Sequence, residues 1–177
     1  MHILIAGRTG SGKTTLALAL ARRYHDEGYP VLVLDPILDP RWRAVGDDVW
    51  TTADTSEFVS AADSSRGCLL VVDEAGELMG RDRAALPLVR QATRGRHRGH
   101  LLILISQGLT SIHHSARAQC SSYALFSLTP TEAAKAESET GVAECAALPE
   151  ARPGEYLWIR PFAPAERLRA FGSDGAG

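Results

Sequence analysis

Residues 7–14 read GRTGSGKT, a match to the G-x-x-x-x-G-K-[ST] phosphate loop, and no other stretch constrains the fold as tightly. An apolar run, Ile3-Leu4-Ile5-Ala6, precedes it, and a helical stretch from Thr15 to Glu27 follows. A strand feeding a glycine-rich turn into a helix N-terminus is the context this motif requires. Gly7, Gly10 and Gly12 let the backbone curl closely around phosphates. The amides of residues 10–14 point at an anion from the positive end of the helix dipole. Lys13 brings an ammonium to the β- and γ-phosphates, and the Thr14 hydroxyl completes a Mg²⁺ shell. Arg8, Thr9, Ser11 and Thr15 fill out the nucleotide-contacting set, and the cofactors expected are ATP and Mg²⁺. A chance glycine-rich turn is the bland alternative, and the flanking strand and helix argue against it.

Length and composition fit one domain. The chain has 177 residues, 45% of them hydrophobic, enough to supply a core. A single ATPase domain is expected over 1–171, with 172–177 a disordered tail. No apolar run reaches bilayer-spanning length, and the chain opens directly on a strand. Cys68, Cys120 and Cys145 are far apart and odd in number, which predicts reduced thiols rather than a disulfide framework. The expected location is therefore cytoplasmic.

A net charge of −2 identifies no partner, but its distribution says more. Six arginines (81, 83, 90, 94, 96, 98) lie between Arg81 and His100 against one acid, Asp82. Such a cluster in a near-neutral protein suits a phosphate-rich partner or a subunit interface; a solvated helix face is the common alternative.

Strands are expected at 2–6, 31–34, 68–72, 101–105, about 123–128 and 155–159. Helices are expected at about 13–27, 55–64 (capped by Asp54 or Thr55), 82–94 and 130–140, with an irregular connection over 36–53. Continuous apolar strands alternating with helices imply an α/β fold around a mostly parallel sheet with helices on both faces. Trp42, Trp50 and Trp158 are read as packing residues. His113 and His114, being adjacent, cannot share a helix face and are read as loop residues.

The second motif is CLLVVDEAGELMG, residues 68–80. Asp73, at the tip of a buried strand, is placed to hold Mg²⁺, and Glu74, pointing the other way along the strand, to orient the attacking water. The alternative is an N-cap and first-turn acid opening the next helix. The third is HLLILISQG, residues 100–108, in which Gln107, with Ser106 second, is a candidate sensor of the γ-phosphate.

The strings GRTGSGKT, VLVLDP, VVDEAGELMG and RGRHRGHLLILISQ, in that order, resemble the HerA/FtsK superfamily of DNA-pumping ATPases; GEYLWIR near the end is similar too. The resemblance implies a RecA-like sheet of the ASCE P-loop division, with the fourth motif strand inserted between the first and third. It implies a hexameric ring, a homo-oligomer that moves along double-stranded DNA without sequence preference. It also implies an arginine acting in trans, for which Arg96 fits best, then Arg98, with Arg94 in reserve. Asp35 matches a carboxylate of the family and is site-proximal. The compact size, without an N-terminal barrel, membrane anchor or DNA-reading domain, looks more like the genome-packaging ATPases of membrane-containing icosahedral viruses than like chromosome translocases or HerA proper. That narrower likeness implies a capsid or vertex protein as a further partner, and residence in the host cytoplasm or the virion. Two other classes stay open: a small-molecule P-loop kinase, and an assembly ATPase of a secretion or filamentous-phage export system similar to the zonula occludens toxin type.

Overall fold

The computed structural model describes residues 2–79 and 86–170. Their strands are β1 (His2–Ala6), β2 (Val31–Leu34), β3 (Trp50–Thr52), β4 (Leu69–Val72), β5 (Leu101–Ser106), β6 (Ser122–Leu125), β7 (Glu155–Ile159) and β8 (Glu166–Arg169). The helices are α1 (Lys13–Asp26), α2 (Thr55–Ser64), α3 (Ala75–Leu78), α4 (Leu86–Arg94), α5 (His114–Arg117) and α6 (Pro130–Thr140). Short 3-10 turns occupy Pro40–Ala44, Gly95–Arg98 and Ala143–Glu150.

All eight strands join one sheet in the order β3-β2-β4-β5-β1-β6-β7-β8. The first six run parallel, and β5 lies between β1 and β4, as the family resemblance implies. The register pairs Ala6 with Ser106 and Val72 with Leu104, so β1, β4 and β5 end at one edge of the sheet. The sheet is mostly parallel, as expected, with β7 antiparallel to β6 and β8 to β7. The chain leaves β6 at the phosphate-loop end, passes through α6, and re-enters the sheet from that same end.

Strands β1 and β4 are buried along their whole length, and apolar apart from His2, because both faces are covered. One face packs Phe58, Ala62, Leu88 and Ala133 from α2, α4 and α6. The other packs Leu16, Ala17 and Ala21 of α1 with Trp42 and Phe126. α2 starts where Asp54 accepts hydrogen bonds from the Ser56 and Glu57 amides, one of the two caps expected.

The connection over 36–53 is more ordered than expected: it holds the Pro40–Ala44 turn and edge strand β3. Trp42 is buried in the core, Trp158 is half-buried, and Trp50 is exposed on β3. Cys68, Cys120 and Cys145 are buried free thiols. His113 and His114 stack at the start of α5, where the His113 ring accepts the Ser115 amide. Among the described residues no helix is long and apolar enough to cross a membrane. The tail from 172 and the start of the helix expected at 82 lie outside the described residues.

Candidate nucleotide site and arginine face

The phosphate loop crosses from β1 to α1 at the sheet edge where β4 and β5 also end. The Gly7 amide donates to the Ser106 carbonyl at 3.2 Å and the Arg8 amide to Ser127 at 2.8 Å, which pins the start of the loop to the tips of two neighbouring strands. The Gly154 amide donates to the Ser11 carbonyl at 2.8 Å and ties the loop to the start of β7. Gly7 has no room for a side chain, since a Cβ there would lie 2.6 Å from that of Phe126. Gly10 and Gly12 hold φ of 76° and 110°, conformations natural to glycine. Gly12 caps α1 without any side-chain hydrogen bond, which leaves the amides of the first turn open to an anion. Arg8, Thr9 and Gly10 are exposed, while Thr14 and Thr15 are half-buried in the first turn of α1.

Two observations test whether ATP and Mg²⁺ suit these residues. The Ser11 hydroxyl is buried in the loop without a hydrogen-bond partner. Lys13 is buried, and its Nζ folds over the loop onto the Arg8 carbonyl at 3.0 Å. Burial lowers the Lys13 pKa, and the charges of Glu74 and Asp73 partly oppose that shift. Across from it, burial pushes the Asp73 carboxyl up to about 6; the Glu74 amide, at 2.9 Å from Oδ1, opposes this, while the charges of Asp35 and Glu74 add to it. A buried carboxylate among like charges gains from a nearby cation. An orphaned hydroxyl, an uncapped helix and a buried lysine fit an anion, so the residues present suit a magnesium nucleotide.

Glu74 is set differently from the sequence expectation. β4 ends at Val72, and Glu74 does not continue the strand's alternation. It adopts a left-handed conformation, φ 49°, at the turn into α3. This conformation is costly for a residue with a Cβ and is often found where a turn aims a functional group. Gln107, exposed, follows β5 directly, one residue beyond the Ser106 carbonyl that holds Gly7. Ser106 itself is buried, its hydroxyl 2.9 Å from that of Ser111. Asp35 is fully buried and organises a loop: it accepts the Ile37 amide at 3.0 Å, the Asp39 amide at 2.7 Å and the Trp42 indole at 3.1 Å. Its charge still bears on Asp73. Nothing in the sequence separates that loop role from a catalytic one.

The arginines lie at the other end of the sheet. Arg96 and Arg98 sit in the turn before β5, and the strand between them and Gln107 is about 20 Å long for six residues. Neither can reach the phosphate loop of its own chain. Arg98 is partly committed: its guanidinium donates to the Asp63 carbonyl, and its own carbonyl accepts the Gly67 amide at 3.0 Å. Arg96 is exposed, and among the described residues its guanidinium has no partner. Arg90, Arg94 and Arg98 line a cleft of about 260 Å³ together with Asp63 and Gln91. Arg81 and Arg83 lie outside the described residues.

In fold and in its phosphate loop the chain resembles P-loop ATPases of the HerA/FtsK type. The family model of the helicase HerA central domain matches residues 1–39, and that of zonular occludens toxin matches residues 46–129. The DNA-packaging ATPase of Sulfolobus turreted icosahedral virus superposes with a TM-score of 0.78 at 15% identity, covering 97% of this chain and 98% of that one. The genome-packaging NTPase of Sulfolobus turreted icosahedral virus 2, solved with AMPPCP, gives 0.76 at 15% identity over 94% and 95%. Among curated proteins, the putative assembly protein ORF301 of Pseudomonas phage Pf3 is 31% identical over 129 residues, 66% of this chain and 39% of that protein. The replication factor C large subunit of Methanococcus maripaludis is 42% identical over 80 residues, 45% of this chain and 15% of that protein. The chain thus spans less than half the length of these two relatives. In fold, this chain resembles the viral genome-packaging ATPases from end to end.

Proposed function

We propose that this chain is one subunit of an ATP-hydrolysing motor that moves double-stranded DNA, and that its task is loading a viral genome. The observation that carries the reading is a division of labour across one sheet. The phosphate loop, Asp73, Glu74 and Gln107 gather at one end, while Arg96, without a partner among the described residues, is exposed at the other. A nucleotide end and an arginine end on opposite edges of the sheet suit a ring of like subunits, in which the arginine of one completes the site of the next.

In this reading the loop amides and Lys13 hold the phosphates. Thr14 and Asp73 would hold the ion, which would supply positive charge to offset that of the phosphates. Glu74 orients the attacking water and accepts its proton. Gln107 contacts the γ-phosphate and distinguishes triphosphate from diphosphate. Arg96, with Arg98 second and Arg94 in reserve, enters the neighbouring site in a hexameric ring and stabilises transition-state charge. Arg90 and Arg94, at the mouth of the polar cleft, together with Arg81 and Arg83, bind backbone phosphates without regard to sequence. A capsid or vertex protein docks the ring, which works in the host cytoplasm or on the virion.

The match to the zonular occludens toxin model, and the likeness to a phage assembly protein, favour a second reading: an assembly or export ATPase whose cargo is not duplex DNA. Phosphate release measured with and without unrelated DNA duplexes, over a salt series and with particle mass determined in the same buffer, separates the two. The motor reading expects any duplex to accelerate Mg²⁺-dependent hydrolysis and to assemble the subunits, with both effects fading steeply as salt rises. Hydrolysis indifferent to DNA, with no duplex binding at low salt in the presence of ATP, favours the export reading.

A further inference from the structure

Gln107 can report on a γ-phosphate only if the backbone that carries it is held in place. The geometry points to Glu132, a residue of another helix, as the positioning residue for Gln107; the inference rests on the sensing role proposed above. α6 opens with Thr129 as its cap, whose hydroxyl accepts the Glu132 amide at 3.2 Å. A glutamate at this place in a helix commonly turns back to the amide of the capping residue. Glu132 instead reaches across to the segment that leaves β5. Its carboxylate accepts the Leu109 amide at 2.6 Å, the Thr110 amide at 3.2 Å and the Thr110 hydroxyl. The contact is close enough to dictate a neighbour: a Cβ on Gly108 would lie 2.7 Å from the Glu132 carboxyl carbon.

The other side of the segment is held by the turn that carries Glu74. The Ser106 and Ser111 hydroxyls are 2.9 Å apart, and the Ser111 hydroxyl donates to the Gly108 carbonyl at 3.1 Å. A Cβ at Gly76, two residues beyond Glu74, would collide with both hydroxyls. The His113 amide donates to the Met79 carbonyl at 2.8 Å, just past α3. The stretch from Gln107 to His113 is thus gripped between α6 and the Glu74 turn. Charged hydrogen bonds are stronger and more directional than neutral ones, so a carboxylate accepting three donors is well suited to fix this backbone. Removing it frees the exposed Gln107 to move without disturbing the phosphate loop, which Glu132 does not touch.

The test is a double-mutant cycle on nucleotide discrimination. For Gln107→Ala, Glu132→Ala, the double variant and Glu132→Gln, affinities for AMPPCP and for ADP are measured by displacement of a fluorescent nucleotide. Each alanine variant should keep parental ADP affinity and lower the AMPPCP-to-ADP preference by about tenfold, the scale of one charged hydrogen bond. The double variant should be no worse than Gln107→Ala alone, because Glu132 acts through Gln107. Glu132→Gln keeps one acceptor oxygen and should recover part of the preference. The inference is overturned if Glu132→Ala keeps the parental preference while Gln107→Ala loses it. It is equally overturned if the two losses multiply in the double variant, or if Glu132→Ala loses ADP binding as well, the mark of a purely structural residue. A Gln107→Ala variant with parental preference would overturn the sensing role itself, and the positioning role with it.

Discussion

The two ends of the sheet are built on opposite principles. At the nucleotide end the backbone framework is committed, and the Ser11 hydroxyl and the first-turn amides of α1 are left open for an anion. Gly7, Arg8 and Ser11 are tied by backbone hydrogen bonds, Asp35 has three donors, and Asp73 is held by the Glu74 amide. At the arginine end the charges outnumber their partners: Arg96 is unpaired among the described residues, and Arg90, Arg94 and Arg98 share a cleft with one carboxylate, Asp63. The first end is preorganised within one chain, as electrostatic catalysis requires. The second is an incomplete surface whose arginines gain a role only against something negatively charged. The contrast is what supports the proposal that the working unit is larger than the chain.

The sharpest way to break the comparison is at Glu74. Glu74→Gln leaves the loop, Lys13 and Asp73 in place and removes only the group proposed to orient water. Hydrolysis should fall by about a hundredfold or more while fluorescent-nucleotide affinity stays parental. Parental turnover would mean that the left-handed turn at this residue shapes the chain and not the chemistry.

A smaller effect sharpens the electrostatic half. Asp73 is raised in the folded protein from an ordinary 3.8 to about 6, chiefly by burial. A raised carboxyl binds its proton more tightly in the folded state, so this group's contribution to stability falls as pH climbs from about 4 through 6. The loss persists above that. Asp73→Asn removes it, so the nucleotide-free variant should be more stable than the parent at pH 7.5, by on the order of 1–2 kcal/mol, and not below pH 4. Urea denaturation at the two pH values checks this. An equal difference at both, or a less stable variant at pH 7.5, would show that Asp73 is not burdened by its surroundings.

The fold was legible where burial is complete on both faces. Residues 2–6, 31–34, 68–72 and 101–105 read as strands because, His2 apart, every position is apolar, and the structure places strands at 2–6, 31–34, 69–72 and 101–106 within the sheet. The misses are at the edges. β3 is three residues long, and β8 reads Glu-Arg-Leu-Arg, a partly exposed edge strand with little apolar signal. The antiparallel direction of β7 depends on where the chain re-enters the sheet, which periodicity cannot encode. In the site, the phosphate loop and the Asp73-Glu74 pair were legible because backbone and chemistry coincide in one short string. Glu132 was not, although Thr129 followed three residues later by a glutamate is a visible capping signature. That pattern explains the acid locally and hides its contact with Leu109 and Thr110, 23 and 22 residues away. Arg96 and Arg98 were ranked by position alone; the Asp63 carbonyl on Arg98 is a tertiary contact that now separates them.

The central claim, that the arginine end of one chain serves the nucleotide end of another, is tested most directly by mixing two inactive chains. Lys13→Ala retains Arg96 and lacks a working phosphate loop; Arg96→Ala retains the loop and lacks the arginine. Alone, each should hydrolyse ATP poorly, the arginine variant by a factor on the order of 10³, given what such residues contribute in related phosphoryl transfers. Mixed in the presence of duplex DNA, they form some interfaces that pair the intact loop of one with the intact arginine of the other. Part of the parental rate should then return. Parental activity that does not change with protein concentration, together with no recovery in the mixture, would contradict the account and point to a site complete within a single chain.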